Sequence, residues 1–117
     1  MEYRFIDPEK ISEMLYNDAE YVVDFCEAGV SSFEEFKDNF STHLLDRNME
    51  DLRRAGHKIK PGAQMMCAEE VIDEYEHAKE LLEQEADTNE LSKSADKMEE
   101  ICSTIIEELT RLARNPN

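Results

Sequence analysis

Little in this sequence breaks a helix. Glycine and proline occur only three times each in 117 residues, whereas Glu, Leu, Ala, Met, Lys and Ile are abundant, a balance that favours long helices over strands joined by tight turns. The three cysteines, Cys26, Cys67 and Cys102, lie far apart and in no spacing that suggests a zinc or redox motif. They read as reduced core or boundary residues of a cytoplasmic protein. No apolar run approaches the roughly 18 residues needed to span a bilayer, and Met1-Glu2-Tyr3-Arg4-Phe5 lacks the basic-then-apolar order of a secretion signal. Basic residues are scarce as well, 13 Lys and Arg against 29 Asp and Glu, for a net charge of −16. Such acidity repels nucleic acid and anionic lipid, which leaves another protein as the expected partner.

The apolar residues that are present recur at helical spacing. A chain of this length is expected to form one domain over residues 1–117 and to bury roughly two-thirds of the surface its unfolded form exposes. Asp7-Pro8-Glu9 reads as a capped helix opening, followed by Ile11, Met14 and Leu15 on one side. Asn17, with Glu20 three residues on, resembles a capping box that opens a long periodic stretch to about Leu45. Gly29 and Ser31-Ser32 are candidate bends in it, while Phe33, Phe36, Phe40 and Leu44 continue the core stripe.

Asp46-Arg47-Asn48 is a short polar link, and a third helix is predicted from about Met49 to Met66. A fourth starts near Glu69 with Val71, Ile72, Tyr75, Ala78 and Leu82 inward. Asp87-Thr88-Asn89-Glu90 caps the last, whose Leu91, Ala95, Met98, Cys102, Ile105, Leu109 and Leu112 form an a/d seam. The expected fold is all-α: an antiparallel up-down four-helix bundle with a short additional N-terminal helix.

One stretch reverses the sign of the charge. Between Leu52 and Ala68 there is no Asp or Glu, and His57 sits among Arg53, Arg54, Lys58 and Lys60. At roughly 100° per residue, Leu52, Ala55, Ile59, Ala63 and Met66 share the core side of this helix. His57 falls opposite, beside Arg53, Arg54, Lys60, Pro61 and Gln64 at steps of three, four and seven. Adjacent cations disfavour an imidazolium, so a neutral, nucleophilic ring is expected. Such a ring can attack phosphorus while cations steady the phosphoryl oxygens. Kinase chemistry is not expected, because no glycine-rich phosphate loop or metal-holding carboxylate cluster accompanies the histidine.

The run Gly56-His57-Lys58-Ile59-Lys60-Pro61, on the solvent face of a helix in a small acidic bundle, resembles the signature of the histidine-containing phosphotransfer (HPt) domains of multistep two-component phosphorelays. That signature is a small residue, the phosphorylated His, two variable residues, Lys and usually Gly. The resemblance implies that His57 reversibly accepts a phosphoryl group from a receiver-domain aspartate and that Lys60 steadies it. Arg53, Arg54, Gln64 and Lys79 would be supporting residues, and Gly56, Pro61 and Gly62 would keep the surface low for a partner. It further implies a cytoplasmic phosphoryl carrier without kinase activity of its own. Its partners would be the receiver domains of response regulators or hybrid histidine kinases, and the receiver would bring magnesium; no cofactor or metal is expected on this chain, which is expected to be a monomer.

Two positions depart from the pattern. Pro61 replaces the usual glycine and removes an amide donor, so a kink is expected at the carbonyl of His57. Lys79 falls where a side chain of the next helix often braces the imidazole, and an ammonium group cannot accept a proton from the ring. The alternative is a non-catalytic acidic helical-bundle adaptor in which His57 is an ordinary solvated histidine. Glu74-Tyr75-Glu76-His77 has the Glu-x-x-His spacing of di-metal bundles, but those need two copies, and Phe40 stands three residues before His43. His43 and His77 are therefore expected to be surface or boundary residues.

Overall fold

The computed structural model describes residues 2–116, which form five helices and, among the described residues, no strand. Helix α1 spans Pro8–Met14, α2 Ala19–Leu45, α3 Met49–Met65, α4 Glu69–Glu83 and α5 Thr88–Arg114. Local chemistry sets most of the boundaries. The Asp7 carboxylate accepts from the Lys10 amide and proline takes the first helical position of α1. Asn48 and Asp87 likewise cap α3 and α5 by accepting from the amides of Asp51 and Glu90. The start of α2 is one residue later than the capping-box reading placed it. Tyr16 and Asn17 both adopt left-handed backbone, φ 61° and 55°, so the extended residue that follows, Asp18, becomes the cap and accepts from Glu20 and Tyr21.

The two longest helices, α2 and α5, pack on each other; α3 packs on α2 and α4, and α4 completes the circuit against α5. Every member of the α5 seam from Leu91 to Leu112 is buried, as are Phe33, Phe36, Phe40 and Leu44 of α2. Gly29 does not end or interrupt α2. A Cβ there would stand 2.9 Å from Cδ1 of Leu109, so the glycine serves the close approach of α2 to α5. On α4 the buried set is Val71, Glu74, Tyr75, Ala78 and Leu81. Ile72 and Leu82, expected inward, are only partly buried, because the face toward α5 is taken by Glu74 and Leu81.

Before α1 the chain is held to α5 by a buried carboxylate, together with Arg111, which donates to the Glu2 carbonyl at 2.9 Å and stacks on Tyr3. Glu108 of α5 is 4% exposed and accepts from the backbone amides of Arg4, Phe5 and Ile6, the last two at 3.0 and 3.1 Å. The next amide, Asp7, donates to the carbonyl of Met66 just past α3, at 3.0 Å. Phe5 and Ile6 are buried by this arrangement, so the Glu108 side chain joins the arm to α5 and the Asp7 amide joins it to the end of α3. No helix among the described residues is long and apolar enough to cross a membrane.

The cysteines divide two to one. Cys26 and Cys102 are buried, and burial pushes their thiols up to about 11 and about 12, respectively. Cys67 is exposed, contrary to the core or boundary placement, because it occupies the left-handed position (φ 63°) that turns the chain out of α3.

Two outcomes are expected. Glu108→Ala leaves three amides without their acceptor and lowers stability by about 2–4 kcal/mol, read as a drop in the urea midpoint at unchanged slope. In the folded protein at mildly alkaline pH, a colorimetric disulfide reagent titrates one thiol, Cys67, since the two buried thiols stay protonated and screened; all three react in denaturant.

Candidate functional site

Helix α3 presents the cationic stretch because its apolar residues recur at helical period. Leu52, Gly56, Ile59 and Ala63 are buried and Ala55 partly so. Arg53, Arg54, His57, Lys58, Lys60, Pro61 and Gln64 are all exposed, as the wheel requires. Acidic Glu50 and Asp51 in the first turn complement the positive end of the helix dipole. The helix continues through Pro61 to Met65, so the proline does not end it. It does leave the His57 carbonyl without its intrahelical donor, and on this exposed face water can replace that bond.

His57 stands in a groove between α3 and α4. Arg53, Arg54, Lys58 and Lys60 line it from α3, and Tyr75, Glu76 and Lys79 from α4. Lys79 therefore reaches the neighbourhood of His57, as counting along α4 suggested. Gln64, Pro61 and Gly62 do not line the groove. A Cβ on Gly62 would meet nothing within 4 Å, so the surface there is open.

The floor of the groove depends on two residues. A Cβ on Gly56 would lie 2.0 Å from Cζ of Tyr75, a separation no side chain tolerates, so the ring occupies the space that a side chain before His57 would fill. The Tyr75 hydroxyl donates to the Arg53 carbonyl at a long 3.4 Å. Burial raises its pKa above that of an ordinary phenol, with nearby Lys79 working the other way and Glu76 reinforcing the rise. Neutral Tyr75 is thus a structural floor under a charged rim. Lys79 extends over this floor, its Nζ 4.7 Å from the ring centroid and 3.0 Å from Oε1 of Glu76.

The cations differ in what they already hold. Arg54 pairs with Glu50 at 2.9 Å and Asp51 at 3.4 Å on its own helix. Lys58 pairs with Glu35 of α2 at 2.7 Å. Among the described residues Arg53 and Lys60 have no acidic partner, and the His57 ring has no hydrogen bond. The two unpaired cations stand four residues before and three after the histidine, hence on its own face.

Tyr75 is expected from its spacing only as core, and the glycine directly before His57 is the sequence signal for its place in the groove; Glu76 stands at the i,i+3 spacing from Lys79 at which the two pair. The Glu-x-x-His pair behaves differently from a metal site. Glu74 is buried between α4 and α5, where it accepts from Ser94 Oγ at 2.6 Å and pairs with Lys97 at 3.1 Å. His77 is exposed, and among the described residues no three His, Cys, Asp or Glu gather closely enough to hold a metal ion. His43 is half-buried near the end of α2. Comparison with protein-family models, curated proteins and solved structures gives no match.

The contact between Gly56 and Tyr75 carries a stability test. Gly56→Ala forces the ring out of its place and costs about 1–3 kcal/mol. In a Tyr75→Ala background the same change costs well under half as much, a coupling measured by a double-mutant cycle in urea.

Proposed function

We propose that this chain is a histidine phosphotransfer protein of the HPt kind, with His57 as the phosphoryl acceptor. The observation that carries the reading is an exposed, unbonded imidazole on a rigid helix, flanked on its own face by the two unpaired cations Arg53 and Lys60. In the proposed fold, α2 to α5 form an antiparallel up-down four-helix bundle with α1 as the short additional helix; the circuit of neighbours α2, α3, α4, α5 supports this.

The donor is the acyl phosphate of a receiver-domain aspartate, on a response regulator or a hybrid histidine kinase. A ring nitrogen of His57 gives its lone pair to phosphorus, the P–O bond to the aspartate breaks, and the carboxylate leaves with that electron pair. The ring releases its N–H proton to solvent. Lys60 and Arg53 stabilise charge on the equatorial oxygens, and Lys79 approaches from the other wall of the groove. Transfer to a second receiver is the reverse step. Arg54 is a weaker contributor because its guanidinium is held by Glu50 and Asp51, and Gln64 lies outside the groove. Magnesium comes with the receiver, as the groove supplies, among the described residues, one carboxylate, Glu76, and that one is paired with Lys79. The chain acts as a cytoplasmic monomeric carrier with no kinase activity.

Incubation with a receiver domain charged by a small acyl phosphate yields an acid-labile, base-stable phosphoprotein. His57→Gln abolishes the label, and Lys60→Ala slows its appearance on the order of tenfold or more. Label retained in His57→Gln refutes the assignment. No label on the wild type, with receiver binding unaffected by changes at His57 and Lys60, identifies a non-catalytic adaptor instead.

A further inference from the structure

Among the described residues Glu76 is the only carboxylate in the His57 groove, beside four cations of α3 and Lys79 of α4. Its place there is specific. It stands one turn before Lys79 on α4 and takes the ammonium group at 3.0 Å, while the Tyr75 ring supports the same group from beneath at 4.7 Å. Lys79 is 22% exposed and Glu76 47%, so the lysine is held on the floor side and the acid on the rim. An ammonium group has three donors, and the pair is too exposed to be strong.

We propose that Glu76 is a competing carboxylate that holds Lys79 in reserve, and that a phosphoryl group on His57 draws Lys79 away from it. The inference rests on the reading of His57 as the phosphoryl site. A phosphoryl group carries nearly two negative charges against one on Glu76, and three acceptor oxygens against two. It also arrives in a groove where Arg53 and Lys60 already favour it, so Lys79 gains by turning toward it. Once released, Glu76 is an uncompensated anion on the rim. Phosphorylation therefore changes the groove twice: it adds a dianion at His57 and unmasks a carboxylate beside it. A docking partner meets a cationic groove before transfer and an anionic rim after it, a difference that favours release of the charged carrier.

Phosphoramidate tests this without any receiver. The His57 lone pair forms the new P–N bond, the P–N bond of the donor breaks, and ammonia leaves with the electron pair and takes up the ring proton as ammonium. The readout is the pH midpoint of the phosphohistidine 31P resonance, which a nearby cation lowers. Lys79→Gln raises the midpoint and Lys79→Arg leaves it near the wild-type value. Glu76→Gln lowers it by about 0.2–0.7 of a pH unit, the range expected of an exposed pair. In the Lys79→Gln background, Glu76→Gln has less than half that effect, because only the direct charge of the carboxylate remains once the lysine it competes for is gone. An equal effect of Glu76→Gln in both backgrounds, or none in either, overturns the inference while the label on His57 leaves the phosphotransfer reading intact. Failure of phosphoramidate to label His57 removes both. Matching thermal midpoints of the unphosphorylated variants exclude a folding defect.

Discussion

The face that carries His57 depends on how closely α3 and α4 approach, and that approach depends on the absence of a side chain at Gly56. The Tyr75 ring fills the vacancy, and glycine's low helix propensity, about 1 kcal/mol against alanine, is offset by burying an aromatic ring that is 6% exposed. The same contact has a geometric effect. With Tyr75 seated against the backbone just before His57, the next turn of α4 brings Lys79 into the His57 groove, and the two walls of the groove hold a fixed spacing. The chemistry expected of the site is mostly a matter of positioning charge, so a rigid apolar floor matters as much as the cations above it.

A second constraint sits at the far side of the core. Glu108 binds three successive amides of the N-terminal arm, and the arm in turn reaches the carbonyl of Met66 at the end of α3. Buried carboxylates are stable only when their lone pairs are answered, and here, among the described residues, the backbone answers them without any cation. Glu74 is satisfied differently, by a hydroxyl and a lysine between α4 and α5. Glu108 joins the arm to α5 and Glu74 joins α4 to α5, and neither lines the groove.

Much of the architecture was legible because its causes are local. Helix starts at Asp7, Asn48 and Asp87 follow from a side chain three residues from the amide it caps, and the buried and exposed sides of α3 follow from a period of 3.6. Where the reading slipped, a neighbour outranked the pattern. Two left-handed residues moved the α2 cap from Asn17 to Asp18, and the turn after α3 carried Cys67 outward. At Gly29 a role that no local pattern shows is set by Leu109, 80 positions away in sequence and 2.9 Å from the missing Cβ. The same holds at the candidate site. His57, Arg53 and Lys60 share a face by spacing within α3, and Glu76 meets Lys79 by spacing within α4, whereas Tyr75 beneath His57 is a product of docking α4, which no spacing within α3 encodes.

A cationic groove on a chain of net charge −16 raises a question of range. At physiological ionic strength charges are screened over roughly 8 Å, and helix neighbours three or four residues apart lie about 5–6 Å apart. Arg53 and Lys60, at helical steps of four and three, are inside that range of His57. The other cations of the groove are paired with acids: Arg54 with Glu50 and Asp51, Lys58 with Glu35, and Lys79 with Glu76. The potential felt at the imidazole is therefore set by which local cations are left unpaired, not by the total charge. Replacing distant acids changes how fast an oppositely charged partner arrives, while the local pairs decide what an anion finds at His57.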